Sequence, residues 1–252
     1  MNRFLRTVKP YIYTIAVLLS IWKLFSVSLT ENVFPPPESV LGAFGGALFT
    51  VDFWGHFLTS GYRALSGIAI AWLVGFPTGI VMGFSPKADR LLSPTVQLTY
   101  PIPKVVLLPV VLLIFGLGDT SKILIVSLIL GYQVLVATRD GVKGIRPEYL
   151  KSIHSLGAGK WQLYREGLLP AALPYGFTAL RLNAGVGVAV LFFVESFATD
   201  RGLGFLIMDA WGVMAFDEMF TGIFGMSLLG VAINGLVGFL ESIFCPWFKS
   251  NL

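Results

Sequence analysis

Two uncharged apolar runs limit what this chain can become. Residues 64–86 and 219–240 contain no Asp, Glu, Lys or Arg, and each is long enough to cross a hydrocarbon layer of roughly 30 Å as a helix. A water-soluble domain would have to bury both runs on every side. The chain does not supply the polar surface for that, being as a whole 55% hydrophobic and 13% charged with a mean hydropathy of +0.78. In lipid each backbone polar group must find its partner within the segment, so the expected class is an all-α membrane protein. The 28 glycines and 14 prolines predict spans that pack closely and are interrupted. In such a chain the formal charge of +4 marks topology rather than nucleic acid, and no aromatic-basic surface module is visible. The one cysteine, Cys245, excludes an internal disulfide and any cysteine-cluster metal site.

Taken in order, the chain reads as six spans, over residues 11–30, 64–86, 91–118, 122–138, 175–195 and 219–244, in a single transmembrane domain covering residues 1–252. Arg3, Arg6 and Lys9 place the N-terminus in the cytoplasm, and the run from Tyr11 is read as a retained first span rather than a cleaved leader. Lys23 is expected to snorkel at the outer end of that span. Pro35, Pro36 and Pro37 then break the helix, and Ser39 to Phe49 is read as a short interfacial helix with Val40, Leu41, Phe44 and Leu48 on one side. In the second span Gly75, Gly79 and Gly83 recur every four residues, a smooth seam suited to close helix packing, with solute contact as the other use of such a surface.

The third span carries Pro94, Pro101, Pro103 and Pro109, so an unbroken helix is not expected. Broken backbone at membrane depth is tolerated only beside protein or a water-filled path, which makes Pro101, Pro103 and Pro109 pathway candidates. Lys104 joins them, as a snorkelling cation or as an attractor of anions. Glu195, at the outer end of the fifth span, is the remaining pathway candidate, and Leu203 to Trp211 is read as a re-entrant or interfacial helix at the outer mouth. Inner segments hold most of the basic residues, so both termini are expected inside.

The longest polar interruption, residues 139–174, carries Arg139, Lys143, Arg146, Lys151, Lys160 and Arg165 and is read as a cytoplasmic loop. Within it Pro147 suits a first helical turn, Glu148 the positive helix end, and Gly157 the stop. Tyr149, Leu150, Ile153 and Leu156 then form one apolar stripe. By periodicity the stripe fits either the protein's own span ends and the membrane interface or a docking partner. A second short helix is expected from Lys160 to Leu169, ended by Pro170 and Pro174. Glu148 stands one turn from Lys151 and is placed to pair with it.

The segment LGAGKWQLYREGLLPAALP resembles the cytoplasmic loop of importer-type ABC transporter permeases, whose pattern is Glu-Ala-Ala, three residues, Gly, and some nine residues later a hydrophobic-x-Leu-Pro end. Gly157 matches the glycine, and Leu169 and Pro170 match the Leu-Pro end. FPPPESVLGAF, YPIPKVVLLPVVLLIFGLGDTSKIL and VESFATDRGLGFLI are similar to the nitrate, aliphatic sulfonate, taurine and bicarbonate branch, so the resemblance covers nearly the whole chain. Two departures stand out. Lys151, Ser152 and Ile153 occupy the Glu-Ala-Ala positions, and Gly167 occupies the hydrophobic position before Leu-Pro.

The resemblance implies a type I ABC importer permease fold with cytoplasmic termini in a bacterial inner membrane. Its implied partners are a cytoplasmic ABC ATPase seated on the loop, an extracytoplasmic solute-binding protein, a second copy of the chain, and lipid. The loop residues carrying this expectation are Glu148, Tyr149, Leu150, Lys151, Ile153, Leu156, Gly157, Leu169 and Pro170. ATP and magnesium would belong to the ATPase, since Gly159-Lys160 is followed by Trp161 and no phosphate loop is present. No nucleophile elbow, zinc-protease helix or spaced carboxylate pair appears, and His56 and His154 are expected in different compartments, so no catalytic or metal residue is assigned. The rival classes are a self-sufficient secondary transporter or channel, and a subunit that only anchors a complex.

Overall fold

The computed structural model describes the backbone of residues 2–29, 34–197 and 199–248, and the side chains of those residues other than 2–12 and 29. The side chains of Arg3, Arg6 and Lys9, residues 30–33 and Lys249 lie outside the described residues. All regular structure among the described residues is helical: α1 (Asn2–Leu29), α2 (Pro37–Ala47), α3 (Val51–Phe84), α4 (Pro86–Thr99), a 3₁₀ turn (Lys104–Leu107), α5 (Leu108–Phe115), α6 (Asp119–Lys143), α7 (Pro147–Ser155), α8 (Lys160–Gln162), a π turn (Leu163–Leu168), α9 (Leu169–Glu195), α10 (Leu203–Gly212) and α11 (Phe216–Phe244).

Four of these are long and apolar enough to cross a membrane, namely α3, α6, the continuous run Lys160–Glu195 and α11. The pair α4 and Lys104–Phe115 makes a fifth if counted as one broken span. The described apolar part of α1 is the shorter stretch Tyr13–Ser28. The helices extend beyond the apolar runs read from sequence because their first and last turns are polar. Thr50 caps α3, its hydroxyl accepting from the Phe53 N–H, and the helix passes through His56 and Arg63 before the uncharged stretch begins.

The bundle is built around α6, which lies between α3 and α9, while α11 packs on α9. The most extensive close contact is the glycine seam of α3 against α6. A Cβ at Gly75 would come within 2.5 Å of the Gly131 carbonyl, one at Gly79 within 2.6 Å of the Leu135 carbonyl, and one at Gly83 within 2.5 Å of Val142. The seam begins earlier than the sequence spacing suggests, since Gly67 faces Val126 at 2.6 Å and Ala71 is buried. Two backbones can approach this closely only where side chains are missing, and the reward is continuous dispersion contact along both helices.

The expected interfacial helix is α2, but its apolar side turns inward. Val40 is fully buried, and the Phe44 ring meets Phe53 at 5.9 Å and Phe224 at 5.5 Å, so α2 clamps the ends of α3 and α11. Lys23 does not simply snorkel, because its ammonium bonds the Glu38 carboxylate at the start of α2.

The broken span bends by 79° between α4 and the 3₁₀ turn, with Pro101 and Pro103 in the break and Pro109 in the first turn of α5. All three prolines are exposed. Prolines account for the break, and Lys104 accounts for its tolerability. Its ammonium donates to the Thr99 carbonyl at 3.0 Å and the Tyr100 carbonyl at 2.6 Å, closing the C-terminal end of α4. The same charge lies 4.2 Å from the centre of the Tyr132 ring on α6.

The polar loop is shorter than the sequence reading. Residues 139–143 continue α6, and Pro170 and Pro174 do not end a helix: the chain stays helical from Lys160 to Glu195. A proline inside a helix lacks one donor and crowds the carbonyl four residues back. The π turn over Leu163–Leu168 widens the helix immediately before Pro170 and absorbs that conflict.

Candidate functional site

The candidate site is the face presented by α7, α8 and the π turn. α7 starts with Pro147 in its first turn and Glu148 beside it, and it stops where Gly157 takes a φ of +89° and donates its N–H to the His154 carbonyl at 3.0 Å. A side chain at that φ would be strained, so the glycine fixes where α7 ends and α8 begins.

The apolar stripe of α7 divides its residues between two tasks. Leu150 and Ile153 turn inward onto the π turn, where a Cβ at Gly167 would stand 2.9 Å from Ile153 Cδ1 and 3.5 Å from Leu150 Cδ2. The two departures from the family loop therefore meet in space: a large residue stands where the pattern has a small one, and it packs over a glycine where the pattern has a hydrophobic residue. Leu156, by contrast, is 88% exposed and Tyr149 43%. Next to them in the chain Trp161 is 68% exposed and stacks on Tyr164 with ring centres 5.7 Å apart. Lys151, Lys160 and Arg165 are exposed on the same loop. Glu148 and Lys151 do not form the ion pair their spacing allowed; the Glu148 carbonyl instead accepts from the Ser152 hydroxyl at 2.8 Å. Leu169 and Pro170 are half-buried in the first turn of α9. An exposed aromatic and aliphatic surface ringed by cations is what a partner-docking face requires.

This face is tied to the membrane helices by charge as well as by chain connection. Asp89 of α4 accepts from Arg139 Nε at 2.6 Å and from Lys143 Nζ at 2.5 Å, and Arg139 Nη2 donates to Ser93 at 2.9 Å. Thus the end of α6 that leads into α7 is bonded to the first half of the broken span.

At the other end of α9, Glu195 lies inside a polar network. Its side chain is completely buried, and it accepts from Ser60 at 2.7 Å and 2.9 Å, from Arg63 Nη1 at 2.8 Å and from the Gly204 N–H at 2.9 Å. Arg63 also donates to Asp119 at 2.7 Å and to the Arg201 carbonyl at 2.7 Å. The Leu203 N–H donates to Ser60 at 2.7 Å, so α10 begins on a fully bonded carboxylate and hydroxyl. A Cβ on Gly202 or Gly204 would strike Glu195 at 2.6 Å and 2.5 Å. This network fastens residues 199–204 to α3, a structural task that the sequence reading did not assign to Glu195. Arg63 and Ser60 were missed because their partner lies 132 and 135 residues away.

The described residues form an all-helical bundle with membrane-length helices, a broken span and an exposed short helix at one end. Comparison with known proteins agrees: residues 75–249 match the family described as the binding-protein-dependent transport system inner membrane component. The chain is 33% identical to the taurine transport system permease protein TauC of Escherichia coli, over 96% of this chain and 90% of that one. It is 29% identical to the aliphatic sulfonates transport permease protein SsuC of Bacillus subtilis, over 93% and 86%. With the nitrate import permease protein NrtB of Synechococcus elongatus the identity is 25% over 97% and 92%. The chain belongs to this family and is the permease subunit of an ABC importer in the nitrate, sulfonate, taurine and bicarbonate branch. It is not an enzyme; in such systems a separate subunit hydrolyses ATP.

Proposed function

We propose that the chain imports a small oxyanion or sulfonate-type solute across the bacterial inner membrane as a homodimer, with two copies of a cytoplasmic ATPase and an extracytoplasmic solute-binding protein. The six crossings of this reading are α1, α3, the broken span α4–α5, α6, α9 and α11, with both termini inside. The ATPase seats on Tyr149, Leu156, Gly157, Trp161 and Tyr164, and its ATP-driven closure shifts α7. That shift reaches the bundle by two routes, through Ile153 on Gly167 into α9 and through Arg139 and Lys143 on Asp89 into the broken span. The bias between inward-open and outward-open states comes from the ATPases binding ATP better in one of them.

The observation that carries this reading is the exposed Leu156–Trp161–Tyr164 surface at the end of α9 opposite Glu195. α9 itself is 27 residues long, about 40 Å of helix at 1.5 Å per residue. That is the span from a docking face on one side of a membrane to the Glu195 network and α10 on the other, where the binding protein is placed. The uncovered apolar side of the broken span, with Val110, Leu113 and Ile114 exposed, supports a second copy or lipid against it. The oxyanion class rests on the relatives named for taurine, sulfonates and nitrate. The test is a purified complex in detergent from which residues 147–157 have been deleted. Loss of ATPase association and of binding-protein-stimulated hydrolysis is expected, and hydrolysis at the level of the intact complex would refute the coupling role.

A further inference from the structure

The cations inside the bundle differ in how fully they are engaged. Arg63 is bonded on all three nitrogens, and Lys104 is spent on the carbonyls that end α4. Lys122 donates to the Leu117 and Gly118 carbonyls. Arg139 is held by Asp89, Asp140 and Ser93. Arg181, inside the apolar run of α9, is different. Its one ion pair among the described residues is with Glu241 of α11 at 3.3 Å, longer than a charge-assisted hydrogen bond, and its side chain keeps 23% of its surface open. The pair is incomplete on the other side too, because Glu241 Oε1 is buried without a hydrogen-bond partner among the described residues.

The open side of Arg181 faces a groove of about 540 Å³ between α9 and α11, a volume suited to a small organic solute. Gly185 and Gly230 widen it, Val188 and Ile223 give it apolar walls, and Asn234 brings an amide to its α11 side, while the Ser227 hydroxyl there donates to the Ile223 carbonyl at 2.9 Å. A guanidinium with spare donors beside an amide donor in an apolar groove matches a compact oxyanion with an apolar tail.

We propose that this groove is an oxyanion subsite on the solute's route, with the Arg181 guanidinium receiving the anionic group and the Asn234 amide adding a hydrogen bond to it. Glu241 offsets part of the charge, so the anion is held weakly enough to leave, as a transit site requires. The proposal rests on the oxyanion reading above and assigns a site to it.

The complete transporter, with its ATPase and binding protein, is reconstituted in vesicles and assayed for uptake of taurine, methanesulfonate and nitrate, with urea as the neutral probe. Arg181→Met combined with Glu241→Gln removes both charges together and leaves neither buried alone. Uptake of the anion that the wild type carries is expected to fall at least about tenfold, as for the loss of one charge-assisted hydrogen bond. The exchanged pair Arg181→Glu with Glu241→Arg separates a site from a brace. A brace would be restored by the exchange, whereas a site would stay inactive towards anions. In the same wild-type complex, modification of Arg181 by phenylglyoxal, read by mass spectrometry, is expected to slow in methanesulfonate and not in urea. Wild-type uptake by the neutral or exchanged pair, or equal modification in both probes, would overturn the subsite while leaving the importer assignment intact. Uptake of urea with none of the anions would remove the oxyanion reading itself.

Discussion

At the residue scale the most informative pair is Ile153 and Gly167. Each departs from the family loop, and Ile153 packs over Gly167 so closely that a Cβ there would stand 2.9 Å from its Cδ1, so the two departures compensate. Ile153→Ala is expected to loosen α7 by about 1–2 kcal/mol, below the value for a fully buried isoleucine because this one is half-buried. Gly167→Leu alone should crowd Ile153 and cost a similar amount. Combining them should recover most of the loss, which a double-mutant cycle on uptake and thermal stability measures. Equal additive losses would show that the two side chains act independently.

A second residue-level expectation concerns Cys245, buried just beyond α11. Burial, with the nearby Glu241 carboxylate, pushes its thiol up to about 11 from an ordinary 9.0. The folded protein therefore favours the neutral thiol. That contribution is complete below the unfolded value and is lost as pH rises towards about 11. Alkylation of the native chain by iodoacetamide should stay slow between about pH 8 and 9.5, where an ordinary thiol accelerates, and denaturation in detergent should abolish the protection. Acceleration of the native chain like that of a free thiol would contradict this.

At the element scale, repeating sequence features were legible and pairwise ones were not. Gly75, Gly79 and Gly83 announce a close helix contact because a four-residue spacing needs no knowledge of the partner. The break at Pro101 and Pro103 and the stop at Gly157 follow from backbone chemistry alone. The continuation of α9 through Pro170 and Pro174 was hidden, since it depends on a π turn that no residue pattern marks. The bonding of Glu195 was hidden for a different reason: Ser60 and Arg63, which donate to it, lie 135 and 132 residues away. Gly79→Leu tests the seam. It should force α3 from α6, where the Leu135 carbonyl lies 2.6 Å from the new Cβ, and lower the thermal midpoint of the purified complex. A cost of several kcal/mol is expected, because both obstacles are backbone or packed side chain. An unchanged midpoint would mean that the helices part freely there.

At the scale of the whole molecule, the chain is a membrane bundle with two differently built ends. One end holds the buried Arg63–Glu195 network and carries α10. The other exposes Leu156 and Trp161, and on the reading proposed above it seats the ATPase and passes movement of α7 to α6, α9 and the broken span. Length and hydropathy revealed the membrane class, and charge with capping located α7. Its partner came from resemblance, and only the structure separated the inward-facing Leu150 and Ile153 from the outward-facing Leu156. The most direct test of the account is co-purification of the ATPase with this chain carrying Leu156→Glu and Trp161→Ala, together with ATP-dependent uptake by the reconstituted complex. Both residues are exposed, so folding should be preserved while the ATPase is lost and uptake ceases. Retention of the ATPase with wild-type uptake would contradict the account.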